Sequence, residues 1–273
     1  MLNPNRLISV VDVGANPIDG EPPYMPLLNA GYCNVIGFDP QPIALQRLLD
    51  QKGERETYLP YAIADGSDQT LHICKGRGMS SLLKPDMQML ELFDVLRVFC
   101  EVIETVKVST KRLDDVVEIE HLDFLKIDVQ GSELEVFRSA KNKLQEAIMI
   151  QTEVSFLPLY KNQPTFGEVD LELRSQGFVP HCSPSVKLWP ISPCVMNNDS
   201  RAPLNQMIEA DIVYMRDISK PDLMSDDQLK QMAMIAHYCY GSVDLALRCV
   251  MHLERRKTIP ENSQRKYLGS LQS

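Results

Sequence analysis

Short apolar, β-branched runs alternate with helix-like segments over the first 155 residues, a pattern that predicts a parallel sheet with helices on both faces. Residues 7–13 (LISVVDV) read as a buried strand ending in glycine, and 34–38 (NVIGF) as a second ending at Asp39-Pro40. A helix over 42–51 follows, with proline at its start and Gly53 just past its end. Residues 58–64 and 69–74 form short strands around the turn Asp65-Gly66-Ser67. Residues 87–97 are helical by period, with Met87, Leu90, Phe93 and Leu96 on one side, and 102–108 alternate weakly as a strand. Residues 124–129 (FLKIDV) are a strongly apolar strand that opens through Gln130-Gly131 into a helix over 132–144. Glu133 and Glu135 sit in its first turn, where the helix dipole favours acidic groups.

A further strand, 147–154 (AIMIQTEV), leads into the loop 155–164, and Thr165-x-x-Glu168 is a capping box for a helix ending at Gly177. Residues 178–205 are rich in proline and turn residues and read as loop, before a late strand at 210–216. Ser225-x-x-Gln228 caps a helix through His237, and Ser242 caps another that ends in the basic turn Arg255-Arg256-Lys257. Their apolar stripes, Leu229, Met232 and Ala236, then Leu247, Val250 and Leu253, suit packing on the domain or on each other, with a homodimer interface as the alternative. The last dozen residues are polar and read as a frayed tail. The expected fold is α/β, a doubly wound and mostly parallel sheet over 1–218, with a C-terminal helical extension at 219–273.

Composition narrows the class. A chain of 273 residues, 44% hydrophobic and 24% charged, is one large domain or a domain with an appendage, which excludes disorder, collagen and coiled coil. No run approaches the roughly 18 apolar residues of a membrane span, and residues 1–6 lack a basic stretch leading into an apolar one. Seven cysteines, odd in number and widely spaced with no C-x-x-C, read as reduced thiols in a cytoplasmic protein. The net charge of −9 disfavours nucleic acid as the main partner.

The sharpest chemistry lies at the end of the first strand. In Asp12-Val-Gly-Ala-Asn16 a glycine turn lets backbone approach a ligand, and Asp39, ending the next strand, is placed for ribose hydroxyls. A dinucleotide or S-adenosylmethionine would fit this scheme, and so would an ordinary tight turn. A pyrophosphate needs backbone N–H donors at the following helix terminus. Pro17, Pro22 and Pro23 stand there without an N–H, and Asn16 and Asp19 occupy the later glycine positions of the dinucleotide fingerprint. A cationic sulfonium tolerates missing donors and suits nearby carboxylates, so the methyl donor is preferred over NAD. An NAD-dependent oxidoreductase, or a non-catalytic interaction module that keeps the fold, are the alternatives.

Several blocks occur in one order: Val-Asp12-Val-Gly14-Ala-Asn16, Gly37-Phe-Asp39-Pro-Gln-Pro42, Met79-Ser80-Ser81-Leu82, Leu113-Asp114-Asp115, Asp123-Phe-Leu-Lys-Ile-Asp128-Val-Gln-Gly131-Ser-Glu133, and Glu153 with Tyr160. Together they resemble the FkbM-type family of S-adenosylmethionine-dependent methyltransferases over about residues 7–217, the 125–133 block being the most specific. The resemblance implies a Rossmann-like class I methyltransferase fold that methylates a hydroxyl of a small molecule or glycan. It implies that Asp12, Gly14 and Asn16 line the methionine end of the cofactor, that Asp39 binds the ribose and Asp65 the adenine edge, and that Asp128 and Glu133 lie near the reacting centre. The family usually reads G-A-N-x-G; here Ile18 stands at the second glycine and Gly20 is displaced.

Methyl transfer to a hydroxyl requires alignment of the nucleophile, exclusion of water and removal of one proton. Asp128 and Glu153 both end predicted parallel strands, the sheet edge where such folds place ligands. Asp128 is the first candidate for orientation or base and Glu153 the second; the alternative for each is a helix cap or a partner of Lys126 or Lys161. Ser80 and Ser81 follow Gly76-Arg-Gly78 in a loop that is either a substrate cover or a plain surface turn. His181 is the histidine best placed to touch substrate, against a structural role. Glu21-Pro-Pro-Tyr24 reads as a rigid helix start. Asp114-Asp115 reads as the first turn of a short helix rather than as part of a metal site with Asp128, and no metal is expected.

Overall fold

The apolar runs at 7–13, 34–38 and 124–129 become adjacent strands of one sheet. The structure, a computed structural model, describes residues 2–18 and 20–271. Its strands are β1 (Ile8–Val13), β2 (Cys33–Phe38), β3 (Glu56–Leu59), β4 (Ala62–Ile63), β5 (Asp68–Cys74), β6 (Val102–Lys111), β7 (Phe124–Ile127), β8 (Met149–Ser155), β9 (Phe178–Trp189) and β10 (Gln206–Arg216). The main sheet has the order β3-β2-β1-β7-β8-β10-β9, and β4-β6-β5 form a second, small sheet. Among the strands of the main sheet β10 alone runs against the rest, antiparallel to both β8 and β9. The doubly wound, mostly parallel sheet is therefore as the sequence pattern predicts.

The helices are α1 (Met25–Asn29), α2 (Pro42–Gln51), α3 (Met87–Leu90), α4 (Asp94–Phe99), α5 (Glu133–Ser139), α6 (Lys141–Glu146), α7 (Phe166–Ser175), α8 (Asp226–Tyr240), α9 (Val243–Arg255) and α10 (Ser263–Ser270). On one sheet face Val11, Val13, Leu125, Ile127 and Ile150 pack against Leu134, Phe137, Leu144, Val169 and Leu173 of α5, α6 and α7. On the other, α1 is only five residues long and leaves most of the face open. That gap is closed by α8 and α9: Leu229, Met232, Ile235, Leu245, Val250 and Leu253 share one core with Ile8, Val10, Val35, Phe124 and Val213. Burying each such side chain contributes roughly 1.5–3 kcal/mol. Residues beyond 218 thus form a layer of the sandwich, and their apolar stripes are spent inside the chain; a dimer would have to use another face. The Ser225 capping box is present, with Gln228 N–H donating to Ser225 Oγ at 3.1 Å.

Five sequence expectations need correction. The stretch 58–64 splits at Pro60 into β3 and β4, which join different sheets. The predicted helices 87–97 and 132–144 each break in two. The proline-rich segment 178–205 opens with a 12-residue strand, β9, which tolerates Pro180 and Pro184 because it lies at the sheet edge. The expected frayed tail contains α10, whose start is held by Glu254: its carboxylate accepts the Asn262 N–H at 2.8 Å and the Gln264 N–H at 3.2 Å. Only Gln272 and Ser273 of that tail lie outside the described residues. Among the described residues no helix is long and apolar enough to cross a membrane.

Candidate active site

Above the carboxyl ends of β1, β2, β7 and β8 lies a cavity of about 610 Å³, the edge at which open α/β sheets bind ligands. One wall comes from residues 12–18, 20–23 and 38–41. Gly14 has φ +81°, and a β-carbon there would sit 1.9 Å from the Asp128 carbonyl oxygen, so only glycine lets β1 turn against the end of β7. Asp12, fully buried, accepts the Tyr24 hydroxyl at 2.7 Å and lies 3.3 Å from Lys126 Nζ, its register neighbour on β7. The Glu21-Pro-Pro-Tyr24 segment therefore carries a cap for Asp12, and α1 begins only at Met25. Asn16 lines the cavity. Asp39 lies buried at the end of β2 and accepts the Gln41 N–H at 2.8 Å; burial pushes its carboxyl up to about 6, against the pull of that hydrogen bond. Ile18 also lines the cavity and faces the loop opposite, where a β-carbon on Gly78 would meet its Cγ2 at 3.5 Å.

The other wall is assembled from distant segments. Asp128 and Glu153 face the cavity from the ends of β7 and β8, with Lys187 and Trp189 of β9 and Glu209 of β10 beside them. Lys187 Nζ lies 3.2 Å from Glu153 Oε1 and 2.7 Å from Glu209 Oε1. Burial, then the charges of Asp128 and Glu209, raises Glu153 well above the ordinary carboxylate range, with Lys187 opposing. Ser80 and Ser81 line the cavity, but their hydroxyls are engaged: Ser80 Oγ accepts the Cys74 N–H at 3.2 Å, and the buried Ser81 donates to the Gln130 carbonyl at 2.6 Å. Around the whole cavity carboxylates outnumber basic side chains seven to three, a lining that favours a cationic ligand.

Three expected site residues lie elsewhere. Asp65 is exposed and outside the lining; its carboxylate accepts the Ser67 N–H at 2.8 Å and the Ser67 hydroxyl at 2.7 Å, bonds that hold it down to about 2. Tyr61, Ala62 and Ile63 reach the cavity in its place. Glu133 lies beneath the floor, accepting N–H groups of Val129 at 2.9 Å and Gly131 at 3.0 Å; burial pushes it up to about 7 against those bonds. Its oxygens, with those of Asp128 and Glu153, offer ligand atoms all within 4.8 Å of one another, a spacing that would suit a cation. Here amide N–H groups and Lys187 are their partners instead. His181, on β9, bonds Ser242 Oγ at 2.8 Å and ties the edge strand to the start of α9. Asp114 caps α6 through the Lys143 N–H at 2.8 Å, while Asp115 pairs with Arg112, so neither joins Asp128.

The sequence profile of the methyltransferase FkbM domain matches residues 12–180, which spans both walls up to the start of β9. The chain belongs to this family. No curated protein matches it. Among solved structures it is similar to magnesium protoporphyrin IX methyltransferase from Synechocystis PCC 6803 with bound SAM, at 11% identity and a TM-score of 0.38, over 78% of this chain and 71% of that one. It is likewise similar to a SAM-dependent methyltransferase from Aquifex aeolicus, at 10% identity and 0.33, over 78% and 85%. Several lining residues of this FkbM-family chain escape sequence reasoning: Lys187, Trp189, Glu209, Asp211 and Gln151. For the first two the signal was the run Val-Lys-Leu-Trp189, hidden by the prolines that precede and follow it.

Proposed function

We propose that this FkbM-family protein transfers the methyl group of S-adenosylmethionine to a hydroxyl of a small molecule or glycan. The observation that carries the reading is one acidic cavity at the strand ends. It has Gly14 and the buried Asp39 on one wall and the two strand-end carboxylates, Asp128 and Glu153, on the other. The residues fit the cofactor: the turn at 14–16 lets backbone lie against the methionine end, and Asp39 is placed to accept both ribose hydroxyls. When bound, S-adenosylmethionine supplies a methyl already activated on a positive sulfur. Asp128 and Glu153 then have two tasks, to orient the acceptor hydroxyl and to take its proton as the new bond forms. Glu153, raised by burial and then by the charges of Asp128 and Glu209, holds a proton more tightly than an ordinary carboxylate. Trp189 offers an aromatic face to a sugar or other ring at the outer end.

A nicotinamide dinucleotide fits less well. Pro17 has no N–H, the Ile18 N–H is already given to the Asn16 carbonyl, and α1 starts too late to present its terminus to a pyrophosphate. Calorimetric titration separates the readings: S-adenosylhomocysteine should bind in the micromolar range or tighter and NADH should not. Binding of NADH alone would overturn the proposal, and S-adenosylhomocysteine binding without methyl transfer to any of a panel of sugars and phenols would favour the non-catalytic module.

A further inference from the structure

Gln130 stands between the two carboxylates to which proton transfer is assigned. It occupies the turn after β7 at φ +56°, a left-handed conformation that a side chain with a β-carbon rarely adopts. Its Nε2 lies 2.9 Å from Asp128 Oδ1 and 2.8 Å from Glu153 Oε2. Its Oε1 lies 3.2 Å from the Tyr160 hydroxyl, which is also 3.0 Å from the Met79 carbonyl, and its backbone carbonyl accepts the Ser81 hydroxyl. Every hydrogen-bonding group of this side chain is thus engaged. The partners also fix which way the amide faces, because the reverse orientation would aim its oxygen at two carboxylates.

The arrangement answers a repulsion. Asp128, Glu133 and Glu153 bring their oxygens within 4.8 Å of one another, and Glu209, Asp211 and Asp12 add further negative charge from β10 and β1. Opposing charges come from Lys187 of β9 and Lys126 of β7, the latter already paired with Asp12. A neutral amide with two N–H groups holds two acidic oxygens at hydrogen-bonding distance and adds no charge. We infer that Gln130 is a positioning residue whose carboxamide, oriented by Tyr160, holds Asp128 and Glu153 side by side at the cavity wall by donating one N–H to each. The inference rests on the proposed function for its catalytic meaning, while the clamp itself concerns only the two carboxylates.

The test is a carboxyl ¹³C NMR pH titration of the full chain labelled at Asp and Glu, with Asp128→Asn and Glu153→Gln variants to identify the two resonances. Gln130→Met keeps length but removes both donors, and Gln130→Glu keeps shape but replaces the donor nitrogen by an ionisable oxygen. In both variants the titration of the Asp128–Glu153 pair should move up by about one pH unit, a tenfold gain in proton affinity. Unchanged midpoints in a folded variant would overturn the clamp. Should Gln130→Met fail to fold, Gln130→Ala, which also removes both donors and adds no charge, decides in its place. Absence of S-adenosylhomocysteine binding to the wild type would overturn the proposed function, and the carboxyl midpoints would still decide the clamp.

Discussion

On the β1–β2 side of the cavity, the chain between β1 and the end of β2 supplies the turn, the buried Asp12 and the buried Asp39. On the β7–β10 side, Asp128, Glu153, Lys187 and Glu209 arrive from four strands and meet only because the sheet places β8, β10 and β9 next to one another. The first wall is made by local turn chemistry. The second is a network of side chains from separate strands: Glu153 is raised by burial and then by the charges of Asp128 and Glu209, is opposed by Lys187, and accepts an N–H of Gln130. A wall of the first kind suits a ligand shared by many proteins, and one of the second kind is free to vary with the acceptor.

The two walls touch at Gly14, and breaking that joint should give the largest effect. In Gly14→Ala the new methyl group would meet the Asp128 carbonyl oxygen at 1.9 Å, and alanine would also be strained at φ +81°. The strand ends would have to part. Chemical denaturation should register a loss on the order of 3 kcal/mol, with cofactor affinity falling as well. Wild-type stability in this variant would mean that the walls are not packed through this glycine.

Asp39 tests the local wall by itself. Its ordinary value is 3.8 and its folded value about 6, so the folded state holds the proton more tightly than the unfolded one. The stabilisation that the proton brings is complete below about pH 4 and lost as pH rises through 6, leaving a buried charge that costs up to about 3 kcal/mol at pH 8. Asp39→Asn removes that cost. Its stability relative to wild type should rise by about 1–3 kcal/mol at pH 8 and hardly change at pH 4, read from denaturation at both values. Its S-adenosylhomocysteine affinity should fall by at least about 30-fold, because hydrogen bonds to a charged group contribute about 1.5–3 kcal/mol each. A variant that gained stability and kept affinity would place the ribose elsewhere.

The same contrast governs what the sequence disclosed. The strands of a mostly parallel sheet, the glycine turn, Asp39 and the strand-end carboxylates were legible because each is signalled within a few residues: a β-branched run, then a small or acidic residue. The Ser225 capping box was legible for the same reason. Lys187 and Trp189 were not, because Pro180 and Pro184 hide β9 from a local pattern, and only the edge position reconciles proline with a strand. That α8 and α9 pack on the domain was legible from their apolar stripes, but which face of the sheet they cover was not. Nothing in residues 226–255 states that α1 is too short to cover its face of the sheet.

Asp65 gives the smallest expected effect and the sharpest probe of how far the local wall reaches. By resemblance it belongs at the adenine edge, yet its carboxylate closes its own turn on Ser67 and lies outside the cavity lining. Asp65→Ala should remove those turn bonds at an exposed site, where the cost is small, and leave S-adenosylhomocysteine affinity within about twofold of wild type. Replacing Ile63, which does line the cavity, with a polar residue should weaken binding more. A tenfold loss in Asp65→Ala would mean that the turn swings inward when ligand binds. The first wall would then be completed only on binding, and the division between a preformed wall at β1–β2 and an assembled wall at β7–β10 would fail.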